Sequence, residues 1–322
     1  MIKKLLLIDG HYYVYRSFFA IRGLTNSAGT PTNAIYGFVK TVRKMLKDLQ
    51  PDLAAVIWDE GLPERRTALQ PDYKAQRTEM PGDMIPQLGA IRDLMPMMGL
   101  ASLGLPGHEA DDLMASYAVA ARDRSYNVIL ATNDKDLFQL VGPQVHIYST
   151  NKTDLAQPTD PHALLGPEAV ERKWGVAPQQ IGDILALIGD SVDNIPGVPG
   201  IGPKTATQLI QQFGSLGKML AAVTESPAAI VSEKVREKII NSRAQIEQNC
   251  EMVRLDLDLP LPQPLDALTI SPRYEDWIAE MRRCEFKGLT TEIEAEFAKQ
   301  LRPISADTTA TPLKKTQGEF SF

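Results

Sequence analysis

Nine acidic side chains lie where predicted strands end or predicted helices begin, so that they could meet at one site. They are Asp9, Asp59, Glu109, Asp111, Asp112, Asp134, Asp136, Asp190 and Asp193. Carboxylates crowded within a few ångströms repel one another, and most of them cannot stay ionised unaided. Hard divalent cations are the usual remedy, because Mg²⁺ and Mn²⁺ prefer carboxylate and water oxygens. Two such ions about 4 Å apart are the standard arrangement for phosphodiester hydrolysis, which is therefore the chemistry that these residues predict.

Each acid also has a simpler interpretation when it is taken singly. A strand-end aspartate such as Asp9 can cap the helix that follows. The acids of "HEADD" (108–112) suit the first turn of a helix, where the macrodipole favours negative charge. The segments "TNDKD" (132–136) and "GDSVDN" (189–194) can be solvated loops. The metal interpretation is favoured because all three predicted strands lead into aspartates.

Three short apolar runs predict the buried strands that must position these acids. They are "LLLI" at 5–8, "LAAVIW" at 53–58 and "VILAT" at 128–132. Apolar residues at helical spacing predict helices over 34–49 and 110–121 between them. Alternating strands and helices predict an α/β fold, a parallel sheet with helices on both faces. The carboxyl ends of such strands form the ligand crevice, so the aspartates should converge there.

Beyond about residue 165 the strand signal gives way to short helices. "PEAVERKWG" (167–175), "PQQIGDILALIG" (178–189) and "PKTATQLIQQFG" (203–214) each begin with proline and end with glycine. These residues commonly start and stop helices. The pattern therefore predicts a C-terminal helical subdomain. Residues 302–316, rich in Ser, Thr and Pro, are typical of a flexible tail.

Residues 189–206, "GDSVDNIPGVPGIGPKTA", combine two of the acids with a glycine-punctuated turn. The glycines supply the positive φ angles that a tight turn requires, and the following helix begins with free backbone N–H groups suited to a phosphate. The segment predicts a helix-hairpin-helix element that holds the DNA backbone without reading bases. A plain loop between two helices is the alternative. The candidate DNA-binding residues here are Gly197, Gly200, Gly202, Lys204 and Thr205.

The composition is that of an ordinary globular protein, with 322 residues of which 43% are hydrophobic and 23% charged. The net charge of −6 does not favour a nucleic-acid binder, although basic residues can be segregated on one surface. Two cysteines are too few for a disulfide framework or a zinc site. The start "MIKKLLLIDG" lacks the features of a signal peptide, and no segment has the length of a membrane span. A cytoplasmic protein is predicted.

An ordered set of motifs resembles the 5′-nuclease (5′-3′ exonuclease) domain of bacterial DNA polymerase I, within the flap-endonuclease superfamily. The motifs are "LLLIDGHYYVYRSFFA", "TNSAGTPTNAIYGF", "YKAQR", "GHEADD", "TNDKDLFQL", "LIGDSVDNIPGVPGIGPKTA" and "CEFKGLT". The resemblance covers roughly residues 1–295. No proofreading or polymerase domain follows in the sequence, so a stand-alone nuclease is expected, with a piece of a longer protein as the alternative. The resemblance implies three parts: a PIN-like core over 1–165 with a helical arch at about 65–98, a helical DNA-binding subdomain over 166–295 with the helix-hairpin-helix at about 185–215, and a flexible tail over 296–322.

The same resemblance implies a structure-specific 5′-3′ exonuclease and flap endonuclease that acts in replication and repair by a two-metal mechanism. Expected partners are DNA with 5′ flaps, nicks or 5′ ends, and RNA–DNA primer junctions, bound by a nucleoid-associated monomer. Mn²⁺ would substitute for Mg²⁺, and K⁺ would bind at the helix-hairpin-helix. The first Mg²⁺ would be held by Asp9, Asp59, Glu109, Asp111 and Asp112, and the second by Asp134, Asp136, Asp190 and Asp193, some of them through water.

The resemblance assigns the basic residues of the predicted arch, "ERRTALQPDYKAQR" (64–77), to the 5′ strand. Arg66, Lys74 and Arg77 would bind its phosphates, with Lys74 also in the catalytic set. Tyr73 would stack a base, and Arg16 would contact the scissile phosphate. A solvated helix face is the alternative for such a basic run.

The chain departs from the family pattern at the mouth of the arch. It has Asp59-Glu60-Gly61 where many relatives have Asp-Ala-Lys, and Arg65-Arg66 where they have Phe-Arg. Two other functions stay open, a catalytically weak DNA-binding paralogue that acts as a scaffold and a PIN-type ribonuclease. The presence of all second-metal acids speaks against the paralogue, and the helix-hairpin-helix speaks against the ribonuclease.

The final segment, "QGEFSF", carries two aromatic side chains after a predicted flexible tail, which is unusual unless something buries them. The spacing of Gln317, Phe320 and Phe322 resembles the short peptides that dock replication proteins onto the sliding clamp. The clamp is therefore a candidate partner. A chance match, or a tail that folds back on its own domain, is the alternative.

Overall fold

A six-stranded sheet forms the centre of the protein. The computed structural model describes residues 2–301 except 158, 161 and 226–231. The strands are β1 (Lys4–Asp9), β2 (Leu53–Trp58), β3 (Ala101–Gly104), β4 (Asn127–Ala131), β5 (Val145–Ser149) and β6 (Ala163–Leu165). Their order is β3-β2-β1-β4-β5-β6, and only β6 is antiparallel to its neighbour. The predicted parallel sheet is confirmed, and the three predicted strands are its central ones.

Thirteen α-helices are present in the described part of the chain. They are α1 (Gly10–Ala20), α2 (Asn33–Leu49), α3 (Glu64–Leu69), α4 (Ile85–Leu94), α5 (Ala110–Arg122), α6 (Pro167–Trp174), α7 (Ile181–Ile188), α8 (Pro203–Phe213), α9 (Leu216–Glu225), α10 (Glu233–Asn241), α11 (Arg243–Val253), α12 (Tyr274–Arg283) and α13 (Lys287–Gln300). The predicted proline starts and glycine stops are found for α6 and α8, which end at Gly175 (φ 74°) and Gly214 (φ 80°), both left-handed. The third predicted helix begins later than its proline, because Pro178–Gln180 forms a 3₁₀ turn and α7 starts at Ile181. Within the described ranges, no helix is long and apolar enough to cross a membrane.

Helices cover both faces of the sheet, as the alternation of side chains along β1 requires. Leu6 and Ile8 pack with α1, α2, α4, α12 and α13. Leu5 and Leu7 point the other way and share a core with α5 and the helices α6 to α11. The helices of the predicted helical subdomain therefore lie on both faces of the sheet. Helices α6 to α11 pack on the face of α5, and the last two, α12 and α13, pack on the face of α2.

Two predicted segments differ in detail from the structure. The predicted arch, residues 65–98, holds α3 and α4 with a series of turns at 71–76 between them rather than continuous helix. The predicted tail was placed from residue 296, but α13 continues to Gln300. Residues 302–322, with the predicted clamp motif, lie outside the described residues.

Candidate active site

Seven of the nine predicted acids line one cleft at the carboxyl edge of the sheet. The cleft has a volume of about 500 Å³. The seven are Asp9, Asp59, Glu109, Asp111, Asp134, Asp190 and Asp193. They come from the ends of β1, β2 and β4, the start of α5, and a small hairpin of β7 (Gly189–Asp190) and β8 (Ile195–Pro196). The reversal of strand order at β1 brings these ends together.

Hydrogen bonds fix the orientation of the strand-end carboxylates. Asp9 accepts from the backbone N–H of Tyr12 at 3.0 Å, and its other oxygen accepts from the Thr132 hydroxyl at 2.9 Å. Asp59 accepts from the backbone N–H of Ala110 at 2.8 Å. The capping interpretation and the site interpretation therefore both hold for Asp9, which caps α1 and also lines the cleft.

Burial and mutual repulsion make several of these carboxyls hard to ionise. Burial, with smaller contributions from Asp59 and Asp134, raises the pKa of Asp9 from 3.8 to about 7. Burial, then the charges of Asp112 and Glu109, raises the pKa of Asp111 well above its ordinary value. The pKa values of Asp134 and Asp136 are raised as well, first by burial and then by neighbouring aspartates. The site thus holds more negative charge than it can stabilise unaided.

The donor atoms fit a hard divalent cation. Carboxylate oxygens of Glu109, Asp111 and Asp112 lie within 4.8 Å of one another. A buried oxygen of Asp136, Oδ1, has no hydrogen-bond partner among the described residues. Oxygen donors of this kind suit Mg²⁺ or Mn²⁺ rather than a metal that prefers thiolate or imidazole. An added cation would both use these oxygens and offset their repulsion.

Asp112 and Asp136 do not line the cleft. Asp112 is fully buried and accepts hydrogen bonds from the two terminal guanidinium nitrogens of Arg66, Nη1 and Nη2, at 2.8 and 2.9 Å. It also accepts from the backbone N–H of Asp256 at 2.9 Å. Asp136 is 8% exposed and begins a short 3₁₀ helix, Asp136–Leu140. Both lie behind the seven acids that face the cleft.

The structure corrects the prediction for Arg66, which was assigned to the phosphates of the 5′ strand. Its side chain is 1% exposed and lies under the acids, where it pairs with Glu109 as well as Asp112. Its Nε donates to the backbone carbonyl of Met252 at 3.0 Å. The buried carboxylates of Glu109 and Asp112 need a compensating positive charge, and a buried guanidinium is stable only when it is paired. This mutual compensation explains why Arg66 is buried.

The predicted base-stacking role of Tyr73 is corrected on similar grounds. The residue is 4% exposed, and its ring packs in the core shared by α5 and β2. Its hydroxyl donates to Glu109 at 3.1 Å. No face of the ring is open to a base in this arrangement, and the hydroxyl instead positions a cleft carboxylate.

Three other cations reach the cleft. Lys74 contacts Glu109 and lies 3.7 Å from an oxygen of Asp193. Arg77, half exposed, pairs with Asp193 at 2.7 Å. Lys135 pairs with Asp190 at 2.8 Å. Lys135 was not predicted, although its position between two predicted ligands in "TNDKD" was an available signal.

Arg16 is exposed on α1, and its guanidinium donates to the Tyr12 hydroxyl at 3.3 Å. Tyr12 and His11 line the cleft beside it. Neither was predicted as part of the site. Two of the residues at which the chain differs from the family pattern form ion pairs within the chain. Glu60 pairs with Arg92, and Arg65 pairs with Asp256 at 3.2 Å.

The glycine-rich segment forms a tight hairpin between α7 and α8. Gly189 and Gly200 have φ angles of 70° and 73°, which favour glycine. A side chain at Gly197 would collide with the backbone of Ile188, so the two sides of the hairpin can approach only with glycine there. Lys204 is exposed in the first turn of α8, and no described side chain caps the start of that helix. Its first N–H groups therefore remain available to an anion.

Replacing Gly200 by valine is expected to weaken binding of a nicked DNA duplex about tenfold. A left-handed φ costs a side-chain-bearing residue about 1–2 kcal/mol, so the free hairpin should relax away from this conformation, and DNA binding must restore it. Fluorescence anisotropy with a labelled duplex measures the change. Gly214→Val is the matched control, since Gly214 has φ 80° and open space but lies at the far end of α8. Equal affinity of Gly200→Val and the wild type, with unchanged circular dichroism, would show that the hairpin does not hold DNA.

Two family models match consecutive parts of the chain. The model described as "5'-3' exonuclease, N-terminal resolvase-like domain" matches residues 4–175. The model described as "5'-3' exonuclease, C-terminal SAM fold" matches residues 176–276. Together they cover the sheet, the cleft and the hairpin.

Curated relatives include free-standing and polymerase-linked proteins. A "5'-3' exonuclease" of Aquifex aeolicus is 33% identical over 92% of this chain and 96% of its own length. A thermostable DNA polymerase I of Thermus thermophilus is 38% identical over 90% of this chain but only 33% of the polymerase. The DNA polymerase I of Rhizobium leguminosarum is 37% identical, with 28% of it covered. The chain thus spans about a third of the polymerase relatives.

Solved structures share the fold. The bacteriophage T5 flap endonuclease, in a pseudo-enzyme-product complex with DNA and metal ions, has a TM-score of 0.63 at 23% identity, covering 92% of this chain and 100% of the phage protein. The catalytic core of Rad2 in complex with DNA substrate has a TM-score of 0.59 at 17% identity, covering 88% of each chain. At these identities the likeness concerns the fold.

Proposed function

Since this chain belongs to the 5′-3′ exonuclease family, we propose that it hydrolyses phosphodiester bonds at the 5′ ends and 5′ flaps of DNA, and in RNA primers paired with DNA. The observation that carries the proposal is the convergence of seven carboxylates in one cleft that the β7–β8 hairpin borders. That hairpin contributes two of the acids and leads directly into the exposed start of α8. Placement of a duplex and cleavage of its 5′ strand would therefore be coupled through one short segment.

The acids would hold two Mg²⁺ ions, for which Mn²⁺ can substitute. Asp9, Asp59, Glu109, Asp111 and Asp112 form the proposed first set, and Asp134, Asp136, Asp190 and Asp193 the second. Such ions lower the pKa of a bound water and stabilise the negative charge that develops on the phosphate. Because Asp112 and Asp136 lie behind the cleft, their proposed part is to hold the facing acids or bound waters in place.

Cationic side chains of this chain would orient the substrate. Arg16, on the exposed face of α1 next to Tyr12, is placed to contact the scissile phosphate. Lys74 and Arg77 reach the cleft from the turns after α3, so they can transfer from carboxylates to phosphates of an incoming 5′ strand. The free N–H groups at the start of α8, with Lys204 and Thr205 beside them, would hold the duplex backbone. K⁺ is the monovalent cation proposed at this hairpin, where it would supply further positive charge for the phosphates.

The competing function, a DNA-binding paralogue without turnover, is less well supported. A paralogue that had lost catalysis would not need a cleft in which Asp9, Asp111 and Asp134 stay close together against burial and repulsion. Maintaining such charges costs stability, and natural proteins keep this kind of arrangement at functional sites.

The substrate proposal is tested by comparing 5′-flap, nicked, 3′-flap and single-stranded DNA at equal concentration in MgCl₂. We expect the 5′ flap and the nicked duplex to be cut near the junction, leaving a 5′-phosphate on the duplex strand. Binding of the 5′ flap without cleavage would instead favour the paralogue. Preferential cutting of the 3′ flap, or cutting throughout the single strand, would contradict the proposal.

A clamp contact through Gln317, Phe320 and Phe322 remains a prediction, as do nucleoid association in the cytoplasm and a monomeric state. A peptide of residues 310–322 is expected to bind the sliding clamp of the same organism, because a glutamine and two aromatic side chains can fill a rim and groove. Tethering would then raise the local concentration of the nuclease. Calorimetric titration measures binding, with a peptide in which both phenylalanines are alanine as control. Equal binding of the two peptides, or none at high micromolar concentration, would remove the clamp from the partners.

A further inference from the structure

The turns after α3 are fastened to the β7–β8 hairpin by contacts centred on Asn194. We call residues 70–77 the arch turn. The side-chain amide of Asn194 donates to the backbone carbonyl of Asp72 at 2.8 Å and to its carboxylate at 2.9 Å. Its oxygen accepts from the amide of Gln76 at 2.8 Å. Gln70 donates to the backbone carbonyl of Asn194 at 2.5 Å. One asparagine thus contacts both sides of the arch turn.

The backbone of both segments bends sharply where they meet. Asn194 has a φ of 60° and Lys74 a φ of 58°, the left-handed region that asparagine tolerates better than most residues. The backbone N–H of Lys74 donates to the carbonyl of Asp193 at 3.1 Å. The bend at Lys74 therefore lies against the residue next to Asn194, and it fixes where the lysine side chain begins.

This fastening decides which groups face the acids of the cleft. From the arch turn, Lys74 contacts Glu109 and lies 3.7 Å from Asp193, and Arg77 pairs with Asp193 at 2.7 Å. Divalent ions in the cleft would use the same carboxylates, Glu109 in the proposed first set and Asp193 in the second. Lys74 and Arg77 of the arch turn therefore compete with divalent ions for the carboxylates of Glu109 and Asp193.

We propose that Asn194 is a positioning residue that holds the arch turn closed over the acids, so that in the DNA-free protein Lys74 and Arg77 compete with divalent ions for Glu109 and Asp193. A 5′ strand would relieve this competition, because its phosphates draw the two cations away from the carboxylates. Metal binding and DNA binding would then favour each other, a coupling that is necessarily reciprocal. This inference deepens the proposed function and rests on it for the effect on cleavage alone.

The consequence is unusual for a residue that supports structure. Loss of the Asn194 side chain frees the arch turn, and we expect the DNA-free protein to bind Mn²⁺ about tenfold more tightly, the effect of losing one or two hydrogen bonds from the closed state. The same change leaves Lys74 and Arg77 poorly placed for the phosphates, and kcat/KM on a 5′ flap is expected to fall by about the same factor. A residue with a merely structural role would weaken both.

The test uses the full chain with the variant Asn194→Gly. Glycine keeps the left-handed φ and the carbonyl of residue 194 that accepts from Gln70, and it leaves in place the bond from the Lys74 N–H to the neighbouring Asp193 carbonyl. Mn²⁺ affinity is measured by isothermal titration calorimetry without DNA, and kcat/KM with a 5′ flap in MgCl₂. Ser125→Gly is the matched control, since Ser125 is exposed with a φ of 60° in a turn between α5 and β4. It should change neither quantity.

A second pair of variants tests the contact between Asn194 and Asp72 without the backbone flexibility that glycine adds. Asn194→Asp places a carboxylate against that of Asp72 and should open the arch turn, and adding Asp72→Asn restores a donor across the same contact. We expect Mn²⁺ affinity to rise in the single variant and to return toward the wild-type value in the double one. Unchanged or weaker Mn²⁺ binding by Asn194→Gly, or no return in the double variant, overturns the proposal. Tighter Mn²⁺ binding in a protein whose wild type cuts no DNA would leave Asn194 in this role and contradict the nuclease function instead.

Discussion

Asp111→Asn is expected to lower the single-turnover rate of 5′-flap cleavage by about a thousandfold, the scale seen when one group that stabilises a transition state is removed. The same substitution is expected to make the metal-free protein more stable. Asp111 lines the cleft, and burial with the charges of Asp112 and Glu109 raises its pKa well above the ordinary value. The asparagine removes that repulsion and one of the close oxygens of the cluster. Cleavage kinetics and thermal unfolding in EDTA measure the two effects, and flap binding should survive.

Asp112→Asn is the matched control, one residue along the same helix. Asp112 is fully buried and accepts hydrogen bonds from both terminal guanidinium nitrogens of Arg66, so loss of the carboxylate leaves the buried Arg66 charge poorly compensated. We expect this variant to lose about 3 kcal/mol of stability, opposite in sign to Asp111→Asn. Wild-type turnover by Asp111→Asn in Mg²⁺ would remove Asp111 from the catalytic set, and equal shifts in the unfolding temperature of both variants would contradict the assigned positions.

The metal-free protein is expected to lose stability as the pH rises from 5 to 8, and MgCl₂ should restore it. The pKa of Asp9 is raised to about 7, and those of Asp111, Asp112, Asp134 and Asp136 are raised as well. A carboxyl whose folded-state pKa lies above its unfolded-state value stabilises the fold at low pH, and this stabilisation is lost as the pH rises through the folded-state pKa. At about 1.4 kcal/mol per pKa unit, Asp9 alone accounts for about 3 kcal/mol above pH 5.

One group at the cleft works in the other direction. Burial lowers the pKa of His11, so that residue favours the folded state at higher pH. The five carboxyls with raised pKa values act in the opposite direction. Denaturant unfolding at pH 5 and pH 8, each in EDTA and in MgCl₂, measures the balance. NaCl at equal ionic strength is the control, because it screens charges without supplying a divalent ion or K⁺. A protein that is equally stable at both pH values, or one that NaCl rescues as well as MgCl₂, would contradict a divalent-ion site.

Much of the fold follows from local patterns. The apolar runs that became β1, β2 and β4 are fully buried central strands, which is why their signal was clear. Strands β3 and β6 are the two edge strands of the sheet and have only four and three residues, with mixed burial, and runs this short resemble loops. The convergence of the acids followed from the rule that parallel strands present their carboxyl ends on one edge.

The roles of Arg66 and Tyr73 could not be read in the same way. Both stand in a basic and aromatic segment whose composition suits DNA contact, but the structure turns them inward to Glu109 and, for Arg66, Asp112 as well. Whether such a side chain faces DNA or turns inward depends on the negative charge beneath the segment. That charge comes from residues distant in sequence, which only the folded structure brings together. Asn194 escaped prediction for the same reason, because its partners Asp72 and Gln76 are more than a hundred residues away in sequence.

Cleavage of a labelled 5′ flap by protein freed of metal, followed as MgCl₂ is added back, tests the central claim most directly. The carboxylate cleft is expected to give no cutting in EDTA, and cutting at the flap junction that rises with Mg²⁺ and leaves a 5′-phosphate on the duplex. Undiminished cutting in EDTA, or no cutting at any Mg²⁺ or Mn²⁺ concentration by a folded protein that binds the flap, would contradict it.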